Sequence, residues 1–107
     1  MKLTGTNISM IRGDTETLTI RCSEPFITGD TVYMTVRESA ESDVEFQERV
    51  TSFGAEGEAV INIAHADTES MAFGEYVYDV QVTRGDGRVK TLVPKSRFTL
   101  EEEITHD

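Results

Sequence analysis

Only one cysteine stands in this chain, Cys22, so no disulfide can form within it. A small secreted scaffold stapled by disulfides is therefore excluded. Cys22 is in phase with Leu18 and Ile20 and reads as a buried, unreactive thiol. No stretch approaches the roughly 18 consecutive apolar residues that a membrane helix needs. The opening "MKLTGTNISM" has one Lys but no apolar core and no small-residue cleavage site, so it does not read as a signal peptide. The chain is expected to stay in the compartment where it is made. Basic residues are scarce as well: 10 Lys and Arg face 20 Asp and Glu, a net charge of −10. A phosphate backbone or an anionic membrane must be met by clustered cations, so neither nucleic acid nor membrane is an expected partner.

Catalytic groups are equally thin. The two histidines are His65 and His106, and His106 is the penultimate residue. His65 precedes Asp67 at a strand end and reads as a surface or capping residue rather than a general base. There is no glycine-rich phosphate cradle, no paired cysteine and no His-x-x-x-His. Carboxylates are plentiful, but Asp14, Asp30, Asp67 and Asp86 all fall at turn signals, where backbone reasons explain them. Nothing matches the regular acidic loop of a calcium site, although a weak site between loops stays open. The chain is expected to be no enzyme, with no cofactor, no metal and no catalytic residue.

What is present is period-two alternation. Leu18, Ile20 and Cys22 alternate with Thr17, Thr19 and Arg21. Val32, Met34 and Val36 alternate with Tyr33, Thr35 and Arg37. Ala59, Ile61 and Ile63 share a face, as do Tyr76, Tyr78, Val80 and Val82. Segments of this kind, rich in Val, Ile, Thr and Tyr, form half-buried strands. The spacing predicts about eight strands near 7–12, 15–22, 31–38, 44–50, 58–64, 75–84, 88–93 and 97–104, with one helical turn near 66–72 capped by Asp67. Residues 1–107 read as a single all-β domain, an immunoglobulin-like antiparallel β-sandwich.

Two Arg-Gly-Asp triplets occur, at 12–14 and 84–86. The same Gly-Asp-Thr opens "GDTETLTI" and "GDTVYMTV", so Gly-Asp acts as a turn device before a strand. In "VTRGDGRV" a tight two-residue hairpin with Arg84 and Arg88 at an exposed tip is expected, and an integrin is not an expected partner. Apolar residues on the outward phase, Ile11, Tyr33, Val60, Val77 and Leu92, form the candidate interface, a surface for another subunit if they cluster.

Several segments together resemble a family. "IRGDTETLTI", "GDTVYMTVRES", "ADTESMAFGEYVYDVQVTRGDGRVKTLV" and "FTLEEEIT" are similar to the small immunoglobulin-like proteins of phages and prophages, akin to the N-terminal domain of siphophage upper baseplate proteins. The resemblance spans roughly residues 8 to 105. It implies a non-enzymatic virion structural protein of the tail or baseplate, bound to other phage proteins or to itself as a homo-oligomer, located in the virion or in the host cytoplasm during assembly. Because the chain stops at Asp107, an attachment module is expected rather than a receptor-binding protein. The alternative is a stand-alone intracellular sandwich that binds a partner protein. Carbohydrate binding ranks lower, since there is no Trp and Tyr76 and Tyr78 fall on the core phase.

Overall fold

Alternation of one apolar and one polar residue leaves each strand one face to bury, and two sheets meet to bury it. The computed structural model describes residues 1–102. Its strands are β1 (Lys2–Thr4), β2 (Asn7–Ile11), β3 (Glu16–Ile20), β4 (Thr31–Arg37), β5 (Val44–Val50), β6 (Ala59–Ile63), β7 (Gly74–Thr83) and β8 (Val89–Glu101), with helix α1 (His65–Thr68) between β6 and β7. They form a six-stranded sheet in the order β1-β2-β8-β7-β4-β5 and a two-stranded sheet of β3 and β6. The result is the expected immunoglobulin-like sandwich of eight strands. Its pairings are antiparallel except β2 with β8, which run parallel. The helix carries the chain from the small sheet to the large one.

The core lies between the sheets. Val32, Met34 and Val36 of β4, Val80 and Val82 of β7, Ile61 and Ile63 of β6 and Phe98 of β8 are fully buried. Phe98 meets Phe46 and Tyr78 edge-on, with ring centroids 6.0 and 6.3 Å away. Tyr78, its hydroxyl donating to the Thr6 carbonyl, is pushed up to about 12 by burial. Asn7–Ile11 buries Ile8 and Met10 on this side and leaves Ile11 exposed.

Four expectations need correction. The strand β1 was not expected: all three of its residues are exposed, and it exists because β2 offers it an antiparallel edge. The two strands expected at 88–93 and 97–104 are one, β8, in which irregularities opposite Tyr78–Gln81 absorb Pro94 without ending the strand. Of the expected 97–104 segment, residues 103 and 104 lie outside those described, as does His106. The helix is shorter than expected and starts earlier. Ala64 occupies the cap position, and Asp67 sits within the helix, its Oδ2 accepting the Ala64 N–H at 2.8 Å.

The fourth correction is the hairpin. Arg84 and Arg88 bond to each other through their backbones and leave Gly85, Asp86 and Gly87 as a three-residue loop. Gly87 adopts φ +94°, a conformation that favours glycine. This register places Val82 opposite Lys90 and Thr83 opposite Val89, while Val80 does face Val93. The longer loop prevails because Arg84 is not at an exposed tip at all.

Candidate functional site

Arg84 continues the inward phase of Val80 and Val82, and Asp30 continues that of Val32 and Met34. Since Val32 pairs with Val82 and Thr31 with Thr83, the next cross-strand neighbours are Asp30 and Arg84. Both are buried, at 3% and 7% exposure. Arg84 Nη1 donates to Asp30 Oδ2 at 2.9 Å and to the Pro25 carbonyl at 3.2 Å, and Nη2 donates to the Glu24 carbonyl at 2.9 Å. The guanidinium carbon lies 5.2 Å from the Phe26 ring centroid. Asp30 in turn accepts the backbone N–H groups of Ile27 and Gly85, each at 3.0 Å. The Ile27 donor, then that of Gly85 and the Arg84 charge, hold its carboxyl below the usual range. This group pins the β3–β4 connection to the β7–β8 hairpin, and it takes the arginine of the second Arg-Gly-Asp triplet inside. The arginine of the first triplet donates to the Met71 carbonyl and lies 4.1 Å over the Phe73 ring.

Cys22 borders the same region half-buried rather than fully buried, with Arg84 Nη2 3.8 Å from its sulfur. Among the described residues, no three of His, Cys, Asp and Glu gather to hold a metal ion.

Away from the core, the six-stranded sheet shows a broad polar face. Across its centre the side chains orient one another. Tyr33 donates to Gln81 Oε1 at 2.9 Å, Gln47 donates to Thr35 at 2.7 Å, and Gln81 donates to Thr91 at 3.3 Å. Arg49 stands 5.6 Å over the Tyr33 ring. Alongside, a recess of about 110 Å³ is lined by Thr35, Arg37, Val77, Tyr78, Asp79 and Lys95. Arg37 Nη1 donates to the Ser42 carbonyl at 2.6 Å, which fixes the guanidinium at the recess rim.

The charge on this face departs from that of the chain. By register its basic residues are Lys2, Arg37, Arg49, Lys95 and Arg97, and its acidic ones Glu75, Asp79 and Glu101. Among the described residues that pairing places on this face, that is five basic to three acidic, a local balance of +2 in a chain of −10, with Glu45 at the β5 irregularity left out of the count. Two of the three acids are already engaged, Glu75 with Arg97 at 2.9 Å and Glu101 with the Ser9 hydroxyl.

The structure distributes the candidate interface residues over both sheets. Tyr33 and Val77 share the outer face of the large sheet, half-exposed, but Tyr33 pairs with Gln81, four residues along β7 from Val77. Val60 is exposed on β6 of the small sheet, and Ile11 is exposed at the end of β2. Leu92 is not outward: the β8 irregularities turn it to pack against the core. The Asp30–Arg84 pair was missed in the sequence, although both residues stand on the inward phase of adjacent strands. The outer-face cations were missed because each is ordinary alone and only the register collects them.

No known family model and no curated protein matches this chain. It is similar to the crystal structure of CopC from Methylosinus trichosporium OB3b, with a TM-score of 0.57 and 11% identity, covering 94% of this chain and 89% of that one. At that identity the likeness carries the sandwich fold alone. The expected tail and baseplate role is thereby overturned: the similar solved structure is not a phage protein, and the motifs behind the resemblance are strand and turn chemistry that a β-sandwich requires in any setting.

Proposed function

We propose that this protein is a non-catalytic binding module that docks an acidic segment of a partner protein on the outer face of its six-stranded sheet. The observation that carries the reading is the charge partition. A strongly acidic chain keeps half of its basic residues on one open face, around an aromatic ring. Fields of that kind speed the encounter with a complementary partner and disfavour partners of like charge. Tyr33 under Arg49 is the sort of aromatic and arginine anchor on which binding energy concentrates. The recess between Arg37 and Lys95 has room for one side chain, and a carboxylate there would meet two cations and the Thr35 hydroxyl against the single carboxylate of Asp79.

Panning a yeast-displayed random peptide library against the protein tests this. Enrichment of acidic sequences by the unmodified protein, lost with Arg37→Glu/Lys95→Glu, is the expected outcome. Enrichment without acidic bias, or an acidic bias that survives the double charge reversal, overturns it.

A further inference from the structure

An aspartyl bond rearranges when the backbone nitrogen of the next residue attacks the aspartate's own Cγ. That nitrogen bonds to Cγ and gives up its proton, one carboxyl oxygen leaves as water, and a cyclic succinimide results. Water then opens the ring. Attack at the main-chain carbonyl leaves the chain linked through Cγ, as isoaspartate. Two heavy atoms on the Cβ of the following residue shield its nitrogen, and glycine leaves it open.

The sequence is strongly patterned in this respect. Asp14, Asp30 and Asp67 precede Thr, Asp43 and Asp79 precede Val, and both asparagines, Asn7 and Asn62, precede Ile. Every one of these followers is β-branched. Of the Asp and Asn residues with a successor in the sequence, Asp86 alone is followed by glycine.

The turn imposes that exception. Gly87 stands at φ +94°, where a side chain is strained, and its N–H donates to the Arg84 carbonyl at 2.9 Å to help close the loop. The open nitrogen must therefore stay, and the restraint falls on the carboxyl. Asp86 Oδ1 accepts the Arg88 backbone N–H at 3.0 Å, and Oδ2 accepts Arg88 Nε at 2.8 Å. Glu24 grips the far side of the same guanidinium, accepting Nη1 at 3.3 Å and Nη2 at 3.0 Å. Arg88 is thus fixed between two carboxylates, although its side chain and that of Asp86 are both exposed.

We propose that Asp86–Gly87 is the isoaspartate-forming bond of this chain and that Arg88 restrains the rearrangement there.

Three features of the loop oppose the attack. Both carboxyl oxygens are engaged, so swinging Cγ over the Gly87 nitrogen gives up charge-assisted hydrogen bonds. The nitrogen itself is held by the Arg84 carbonyl. The carboxyl is also kept ionised, since the Arg88 backbone donor and then its side chain hold it below the usual range. An ionised carboxylate is a poor electrophile, because its oxygen leaves as water only after protonation. Rearrangement would add a carbon to the main chain inside the loop that Arg84 and Arg88 close. Beside it the Gly85 N–H is anchored on Asp30, so the isomerised loop could not keep both connections unchanged.

Ageing the full chain at neutral pH and physiological temperature tests this, with isoaspartate located by digestion and electron-transfer mass spectrometry. The same protein unfolded in guanidinium chloride is the comparison. Isoaspartate is expected at Asp86 and at no other aspartate, forming about tenfold more slowly in the folded protein than in the unfolded one, as befits the loss of charge-assisted hydrogen bonds. Arg88→Gln, which keeps the backbone donor but loses the cation, should close most of that gap. Arg88→Lys, which keeps the cation without the planar grip, should fall between the two. Equal rates for the folded and unfolded protein overturn the proposal, and that comparison stands even where a variant folds poorly. An Arg88→Gln protein that ages as slowly as the unmodified one also overturns it, as does comparable isoaspartate at Asp14 or Asp30 in the unfolded chain.

Discussion

Removing Asp30 should be among the most damaging single changes this fold can suffer. Asp30→Ala deletes the acceptor of three N–H groups, those of Ile27, Gly85 and Arg84, and leaves a guanidinium at 7% exposure without its counter-charge. Breaking a buried pair by removing one partner typically costs about 3–5 kcal/mol, most of it the uncompensated charge. A domain of this size has on the order of 5–15 kcal/mol in total, so a third or more of the stability is at stake. Arg84→Met should cost less, about 1–3 kcal/mol, because Asp30 keeps its two backbone donors and the methionine can fill the space over Phe26. The double variant should then lie well short of the sum, with a coupling of about 1–3 kcal/mol. Urea unfolding at pH 7, followed by far-ultraviolet circular dichroism with the m-value checked for constancy, measures all three. If Asp30→Ala costs under about 1 kcal/mol, or if the two changes simply add, the pair does not tie the β3–β4 connection to the hairpin. The reasoning from phase and burial would then be refuted.

Phe98→Ala empties a fully buried site between Phe46 and Tyr78 and should cost about 3–5 kcal/mol in the same unfolding assay. Gly87→Ala places a side chain at φ +94° with nothing crowding it, so calorimetry should show only the backbone cost, about 1–2 kcal/mol. Thr68→Val leaves the Gly13 N–H without an acceptor and should cost about 1–2 kcal/mol by urea unfolding. The pH profile of the thermal midpoint should peak in the mildly acidic range. Asp30, lowered, contributes stability above about 3.8 that is lost as pH falls through its folded value, whereas Glu48, raised, contributes stability that is lost as pH rises through about 7. A midpoint that climbs steadily from pH 5 to pH 8 would contradict that pairing of signs.

The strands were legible because alternation is a local signal and most of the core obeys it. Val32, Met34, Val36, Val80 and Val82 could be assigned to the interior from spacing alone, and all are fully buried. What escaped was pairwise. β1 has no buried residue, so nothing in its own composition marks it as a strand, and only the neighbouring edge makes it one. Pro94 reads as a strand end in one dimension, whereas in the sheet the irregularities opposite Tyr78–Gln81 let β8 pass through it. Those irregularities also turned Leu92 from the predicted surface to the core.

Charged residues on the inward phase are where the sequence held more than its local patterns suggest. Arg84 and Glu48 each stand where an apolar side chain would be the default, and turn chemistry offered a ready explanation for Asp30. Asp30 and Arg84 find their partners across the fold in one another, whereas Glu48 is pushed up by Asp67 and by burial. The two solutions differ in what they ask of the solvent. Opposite charges satisfy each other at any pH above the carboxylate range, so the Asp30–Arg84 end of the sandwich stays fixed. Glu48, raised to about 7 by Asp67 and by burial, instead contributes stability that is lost as pH rises through that value.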